Sequence, residues 1–223
     1  MNRFAIALLA GVAGVSVMSS AFAADLIISE PAPAVGVVST TGNWDGLYLG
    51  AFAGYGWGTV TDETGYFAPV DTESDLTGWQ VGVAAGANFT VSEAIVAGIV
   101  GDIAWTDLSG DVAADGSSYD VDWTGSIRGR LGFDGGAFLP YVTAGVAFAN
   151  ATVTDVTNTL EDTQTHIGWT VGAGVEFAVA DNVSLDLQYR YTDFGSKDYD
   201  LGGSTETFGL TSHAVTAGVN FRF

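Results

Sequence analysis

The chain has no cysteine, which excludes a disulfide framework and a thiolate metal site. Basic residues are almost as scarce. Six Lys and Arg stand against 26 Asp and Glu, for a formal charge of −20, and such acidity excludes the basic surface that nucleic-acid binding requires. Only four prolines are present, and Pro31 and Pro33 sit together in an early stretch without sustained periodicity. Long apolar runs are also missing. The longest, Phe4 to about Met18 behind Arg3, is shorter than the ~20 residues of a membrane helix. Followed by Ala21-Phe22-Ala23, it has the layout of a secretory signal peptide cleaved after Ala23. The expected organisation is a signal peptide at 1–23, a periplasmic extension at 24–43 and one β domain at 44–223; cleavage leaves 200 residues, enough for one domain. Any membrane crossing must then be made by strands.

What the chain does contain is alternation. In His213–Phe223, His213, Val215, Ala217, Val219, Phe221 and Phe223 share one face, and Ala214, Thr216, Gly218, Asn220 and Arg222 share the other. Period two is a strand with one apolar face. Its aromatic ending, Phe221 and Phe223, fits the assembly signal by which a barrel-assembly machinery recognises a last strand. The pattern recurs at about 44–59, 77–89, 95–107, 120–133, 138–153, 165–179 and 183–193, predicting eight strands, each long enough for the ~9–11 residues of a tilted crossing. Connections alternate short (90–94, 134–137, 180–182) and long (60–76, 108–119, 154–164, 194–212). That asymmetry predicts periplasmic turns, extracellular loops and periplasmic termini.

The side chains predict which face meets lipid. Trp57, Trp79, Trp105, Trp123 and Trp169 lie on the apolar face near the long-loop end, while Phe89, Phe133, Phe177, Phe221 and Phe223 mark the other end. Two aromatic levels flanking an aliphatic band are the girdles of a lipid-facing wall; a soluble core has no reason to sort tryptophans by height. The expected fold is all-β, an eight-stranded antiparallel up-and-down transmembrane barrel. Strand four is assigned Val121 and Trp123 on the lipid face, with Asp120 and Asp122 toward the lumen.

NWDGLYLGAFAGYGWG (43–58), SIRGRLGF (126–133), FLPYVTAGVAFANA (138–151), GWTVGAGVEFAVADNVSLDLQYRYTDFG (168–195) and HAVTAGVNFRF (213–223) resemble the small outer-membrane surface-antigen barrels of alphaproteobacteria, often called porin-family proteins. These are related to opacity proteins and to the OmpA membrane domain. The resemblance implies a cell outer membrane location, lipid and lipopolysaccharide as neighbours, and a surface ligand that it does not name. One departure stands out: Val100 occupies a position, two before Asp102, where the family often carries Glu.

The polar face collects nearly all the positive charge. Arg128, Arg130, Arg190 and Arg222 are expected to share the lumen with Asp102, Glu176 and Asp186, because an arginine on the lipid face costs roughly 2–4 kcal/mol at the midplane. Eight strands enclose a lumen just wide enough for its own side chains, so the expectation is an interior network of ion pairs. The acids of the long connections, among them Asp62, Glu63, Asp71, Asp111, Asp115, Glu161, Asp162, Asp198 and Asp200, face only Lys197. They lack the spacing of a calcium loop and read as a solvated surface. No metal or cofactor is expected. Catalysis is not expected either: the two histidines are His166 and His213, and Ser212 beside His213 must point to the opposite face. The function expected is a structural, surface-exposed barrel of a Gram-negative envelope; a narrow porin for small solutes is the alternative.

Overall fold

The computed structural model describes residues 43–66, 69, 72–111, 117–155, 160–201 and 204–223; the signal-peptide assignment, Asp71 and Asp115 lie outside them. Eight strands follow one another: β1 Gly46–Asp62, β2 Thr72–Ser92, β3 Ile95–Asp111, β4 Ser118–Phe133, β5 Phe138–Asp155, β6 Leu160–Ala180, β7 Val183–Leu201 and β8 Ser204–Arg222. Each pairs antiparallel with the next, and β1 closes on β8 from Tyr48↔Arg222 to Asp62↔Phe208. Closure leaves no open edge, the condition for strands in lipid.

The outer wall carries Leu49, Val83, Ile103, Ile127, Val142, Val171, Leu187 and Val219 exposed. Trp79 and Trp105 stand above them at 64% and 59% exposure, and Phe89 and Phe133 below. A water-soluble domain has no means of stabilising such a continuous apolar belt.

The strands are longer than the sequence pattern predicts, and most of the surplus lies at the long-connection end. Even the 16-residue β4 is ~50 Å long at ~3.3 Å per residue. At ~40° tilt it rises ~40 Å, against an apolar band of ~25 Å. Above the tryptophan level the two faces exchange character. In β2 the outer face passes from Val81 and Trp79 to Thr77, Asp75 and Glu73, while Leu76 turns inside, fully buried. In β8 Phe208 and Leu210 point in, below which Val215 and Val219 point out.

β-Bulges help to make this exchange. One between Val121 and Trp123 in the β4–β5 ladder puts two odd-numbered residues on opposite faces. Val121 is therefore buried inside at 2%, not on the lipid wall, and Asp122 is exposed on the outer surface with Asp120 half-buried, not directed into the lumen. A second bulge, between Asp193 and Ser196 in the β7–β8 ladder, contains Gly195 at φ +65°, a backbone conformation that favours glycine. It brings Phe194 and Tyr199 to the same interior.

Candidate functional site: the barrel interior

The lumen is filled in layers. At the short-turn end Trp44 is 1% exposed and packs with Val96 and Leu139. Its Nε1 donates to Asp134 Oδ1 in the β4–β5 turn at 3.2 Å. The Arg222 guanidinium lies 4.9 Å from the Trp44 ring and donates through Nη1 to the Asn43 carbonyl at 2.7 Å. The alternation pattern does not predict this floor, although Trp44 is the sixth tryptophan and the one that the girdles leave over.

The next layer centres on Glu176, whose side chain is fully buried. Arg130 Nη2 donates to one carboxylate oxygen at 2.5 Å and Arg222 Nη2 to the other at 3.0 Å; Ser184 Oγ donates as well. Arg130 also lies over the Tyr141 ring at 3.8 Å. Above it, Asp102 takes two arginines: Arg128 Nη2 at 2.7 Å and Arg190 Nη1 at 2.8 Å. Ser126 Oγ donates to the same carboxylate at 2.8 Å and accepts from Arg128 Nε at 2.8 Å. Arg128 Nη1 goes to Gln188 Oε1 at 2.9 Å. Glycine provides room for this guanidinium, since a Cβ at Gly145 would meet the Arg128 stem at 2.9 Å.

Six of the seven charged residues expected in the interior thus form two separate ion-pair clusters, each a carboxylate between two arginines. Asp186 is the correction. It makes no ion pair among the described residues; its oxygens accept from the Tyr141 hydroxyl at 2.7 and 2.9 Å, and Gln188 Nε2 completes that hydroxyl at 3.0 Å. A tyrosine on β5 intervenes where charge counting places an arginine. Val100, at the departure from the family pattern, is buried beside this layer, and Asp102 is fully engaged without a carboxylate there.

Above the tryptophans the interior is apolar. Val60, Leu76, Leu108, Tyr119, Val121, Val153, Phe194, Phe208 and Leu210 form one buried cluster. Within it His166, fully buried, meets two phenols: its Nε2 is 3.0 Å from Tyr119 Oη and 2.8 Å from Tyr199 Oη, and the hydroxyls are 3.0 Å apart. Burial holds the imidazole below its ordinary value of 6.5, against the pull of the Gly195 and Phe194 backbone. It likewise pushes the Tyr119 and Tyr199 hydroxyls up. A histidine so enclosed favours its neutral form and is shielded from solvent.

On the outer wall Trp57 and Trp169 are exposed at 39% and 49%, Trp123 is half-buried, and Phe221 and Phe223 are exposed at the other end, their rings 5.2 Å apart. His213 also faces outward, its ring stacked on Trp57 at 5.6 Å.

Two kinds of resemblance bear on this architecture. Residues 7–223 match the family described as outer membrane protein beta-barrel domain. The chain is 36% identical over 210 residues to the 25 kDa outer-membrane immunogenic protein of Brucella abortus, covering 92% of each chain. To the 22 kDa outer membrane protein of Rhizobium leguminosarum it is 36% identical over 188 residues, covering 83% of this chain and 81% of the relative. Among solved structures, Neisserial surface protein A superposes with a TM-score of 0.52 at 21% identity, over 79% of this chain and 97% of that one. The Pseudomonas aeruginosa outer membrane protein OprG superposes at 0.54 and 11% identity, over 82% and 98%; at these identities the likeness concerns the fold. A closed eight-stranded barrel with a lipid-facing belt and a match over nearly its whole length, this chain belongs to the outer-membrane β-barrel protein family.

Proposed function

We propose that the protein is a closed surface barrel: an anchor in the outer membrane that carries a rigid, acidic strand tower outside the cell and conducts nothing. The exchange of faces above the tryptophans carries this reading. An exposed wall of Glu73, Asp75, Asp107, Asp122 and Glu161 around an apolar core is the build of a barrel standing in water, not of a pore mouth. On this reading the long connections lie outside the cell and both termini in the periplasm. Catalysis is absent from the proposal because His166 is sealed between phenols and Ser212 and His213 occupy adjacent, opposite-facing positions of β8.

Epitope tags test the orientation. Inserted at 63–71, 112–117, 156–159 or 202–203, they should be labelled on intact cells; tags at 93–94 or 181–182 should require permeabilisation. Labelling of the short turns without permeabilisation inverts the topology.

A further inference from the structure

One cluster on the outer wall lies apart from the interior and runs across the β1–β8 closure. At the tryptophan level the face formed by β6, β7, β8 and β1 carries a run of rings in mutual contact. Trp169 and Tyr191 lie 5.4 Å apart, Tyr191 and His213 5.0 Å, and His213 and Trp57 5.6 Å, the last pair nearly parallel at 8°. His213 is thus held between Trp57 on one side and Tyr191 on the other. From one ladder step nearer the midplane, Tyr189 Oη reaches His213 Nδ1 at 2.7 Å. An ionisable ring on a lipid-facing wall is costly in hydrocarbon and tolerable at the headgroups, and this one stands level with Trp57 in the β1–β8 register.

The bond to Tyr189 orients the ring. When the phenol donates to Nδ1, the neutral ring carries its own proton on Nε2; when the ring is cationic, Nδ1 donates to the phenol and Nε2 is protonated as well. In both of these states an N–H points away from Tyr189; the other neutral tautomer, with Nδ1–H donating to the phenol, makes Nε2 an acceptor. The surrounding charge leaves few other donors for an anion. Arg128, Arg130, Arg190 and Arg222 are directed inside, and Lys197 is exposed on β7 four residues beyond Asp193. The nearest carboxylate on the same face, Asp193, one ladder step beyond Tyr191, accepts the Gly195 N–H on Oδ1 at 2.9 Å.

We infer that His213, clamped by Trp57 and Tyr191 and oriented by Tyr189, is a seat for the phosphate of an anionic outer-leaflet lipid headgroup. Only the word outer rests on the orientation proposed above. Binding is therefore tested in symmetric nanodiscs, where every leaflet offers the same lipid and a wrong topology cannot affect the result. Full-length protein labelled with 15N-histidine is reconstituted in phosphatidylcholine nanodiscs, plain, doped with diphosphoryl lipid A, or doped with the same lipid after dephosphorylation. The His213 imidazole Nε2 resonance should move with the phosphorylated lipid and stay in place with the other two. Lipid retained through native mass spectrometry should fall about tenfold in His213→Ala, the loss of one hydrogen bond to a charged group, and by less in Tyr189→Phe. Both positions lie on the outer wall, so neither change touches the packed interior. Equal retention by His213→Ala, or identical spectra with the phosphorylated and the dephosphorylated lipid A, overturns the site. A matching shift with millimolar inorganic phosphate in plain nanodiscs reassigns it to free anions and overturns the lipid assignment.

Discussion

At the scale of single residues, the interior separates charges that look equivalent in the sequence. Asp102 and Asp186 both face the lumen from mid-strand, yet Asp102 is enclosed by Arg128 and Arg190 and Asp186 by a phenol. Removing the Asp102 charge leaves two buried guanidinium groups without their anion, which typically costs ~3–5 kcal/mol. Asp102→Asn should therefore lower the urea unfolding free energy of the refolded barrel by about that amount. Asp186→Asn keeps an oxygen that accepts the Tyr141 proton, and should cost no more than about 1 kcal/mol, the net value of one neutral hydrogen bond. Val171→Ala, on the lipid wall, should stay within the same bound. Equal losses for Asp102→Asn and Asp186→Asn would mean that the layers act as one electrostatic pool and not as discrete pairs.

At the scale of elements, the strand extensions behave as a second, water-facing barrel continuous with the first. Their weak point is His166, because its protonation puts a cation among Phe194, Tyr199 and Phe208, where the hydrogen-bond partners of Nε2 are two phenols and not a carboxylate; Lys197 adds repulsion, and Asp162 lies close enough to influence Tyr199. The sign follows from the lowered native value: the unfolded segment binds a proton more readily than the folded one. The contribution of His166 to stability is thus fully present above pH 6.5 and is lost as pH falls below it. Amide exchange in β6 and β7 above Trp169 should accelerate from pH 7 to 5, once corrected for intrinsic exchange, while the membrane-level amides stay protected. His166→Leu should abolish the difference, since Tyr119 and Tyr199 still bond each other. An unchanged exchange profile down to pH 5 in the native protein would show that His166 is not the coupled group. These extensions are also where the sequence was hardest to read. Eight strands, the girdles and the short turns all follow from apolar alternation of constant phase. Above Trp79 and His213 the alternation persists in the opposite phase (Leu76; Phe208 and Leu210), and a search for outward apolar residues takes it for loop. The bulges at Val121/Trp123 and Asp193/Ser196 hide it further, because an extra residue reverses parity without any mark in composition. In the candidate site the arginines were legible because lipid excludes them. The partners Tyr141, Gln188, Ser126 and Ser184 were not, because register between distant strands decides who meets whom.

At the scale of the whole molecule, three seals of different chemistry lie in series along one axis. Trp44 and Arg222 close the short-turn end, the Glu176 and Asp102 clusters fill the middle, and the apolar core around Phe208 and Leu210 fills the far end. Between them are two cavities of about 40 Å³ each, room for roughly three waters apiece, whereas a permeating ion needs a connected file of them. Seals in series have a consequence that a single constriction does not: opening any one leaves the path shut. In planar bilayers the wild type should show no steady conductance, and neither should Asp102→Asn nor Phe208→Ala. The two single variants should nonetheless lose stability, about 3–5 kcal/mol for the first and a similar amount for the cavity left by the second. Stability and conductance are thereby uncoupled, the mark of a plugged anchor. In a narrow porin the same charges would set selectivity, so Asp102→Asn would change ion preference at little cost in stability. A steady, ion-selective current in the wild type that shifts in Asp102→Asn would replace the closed barrel with a channel.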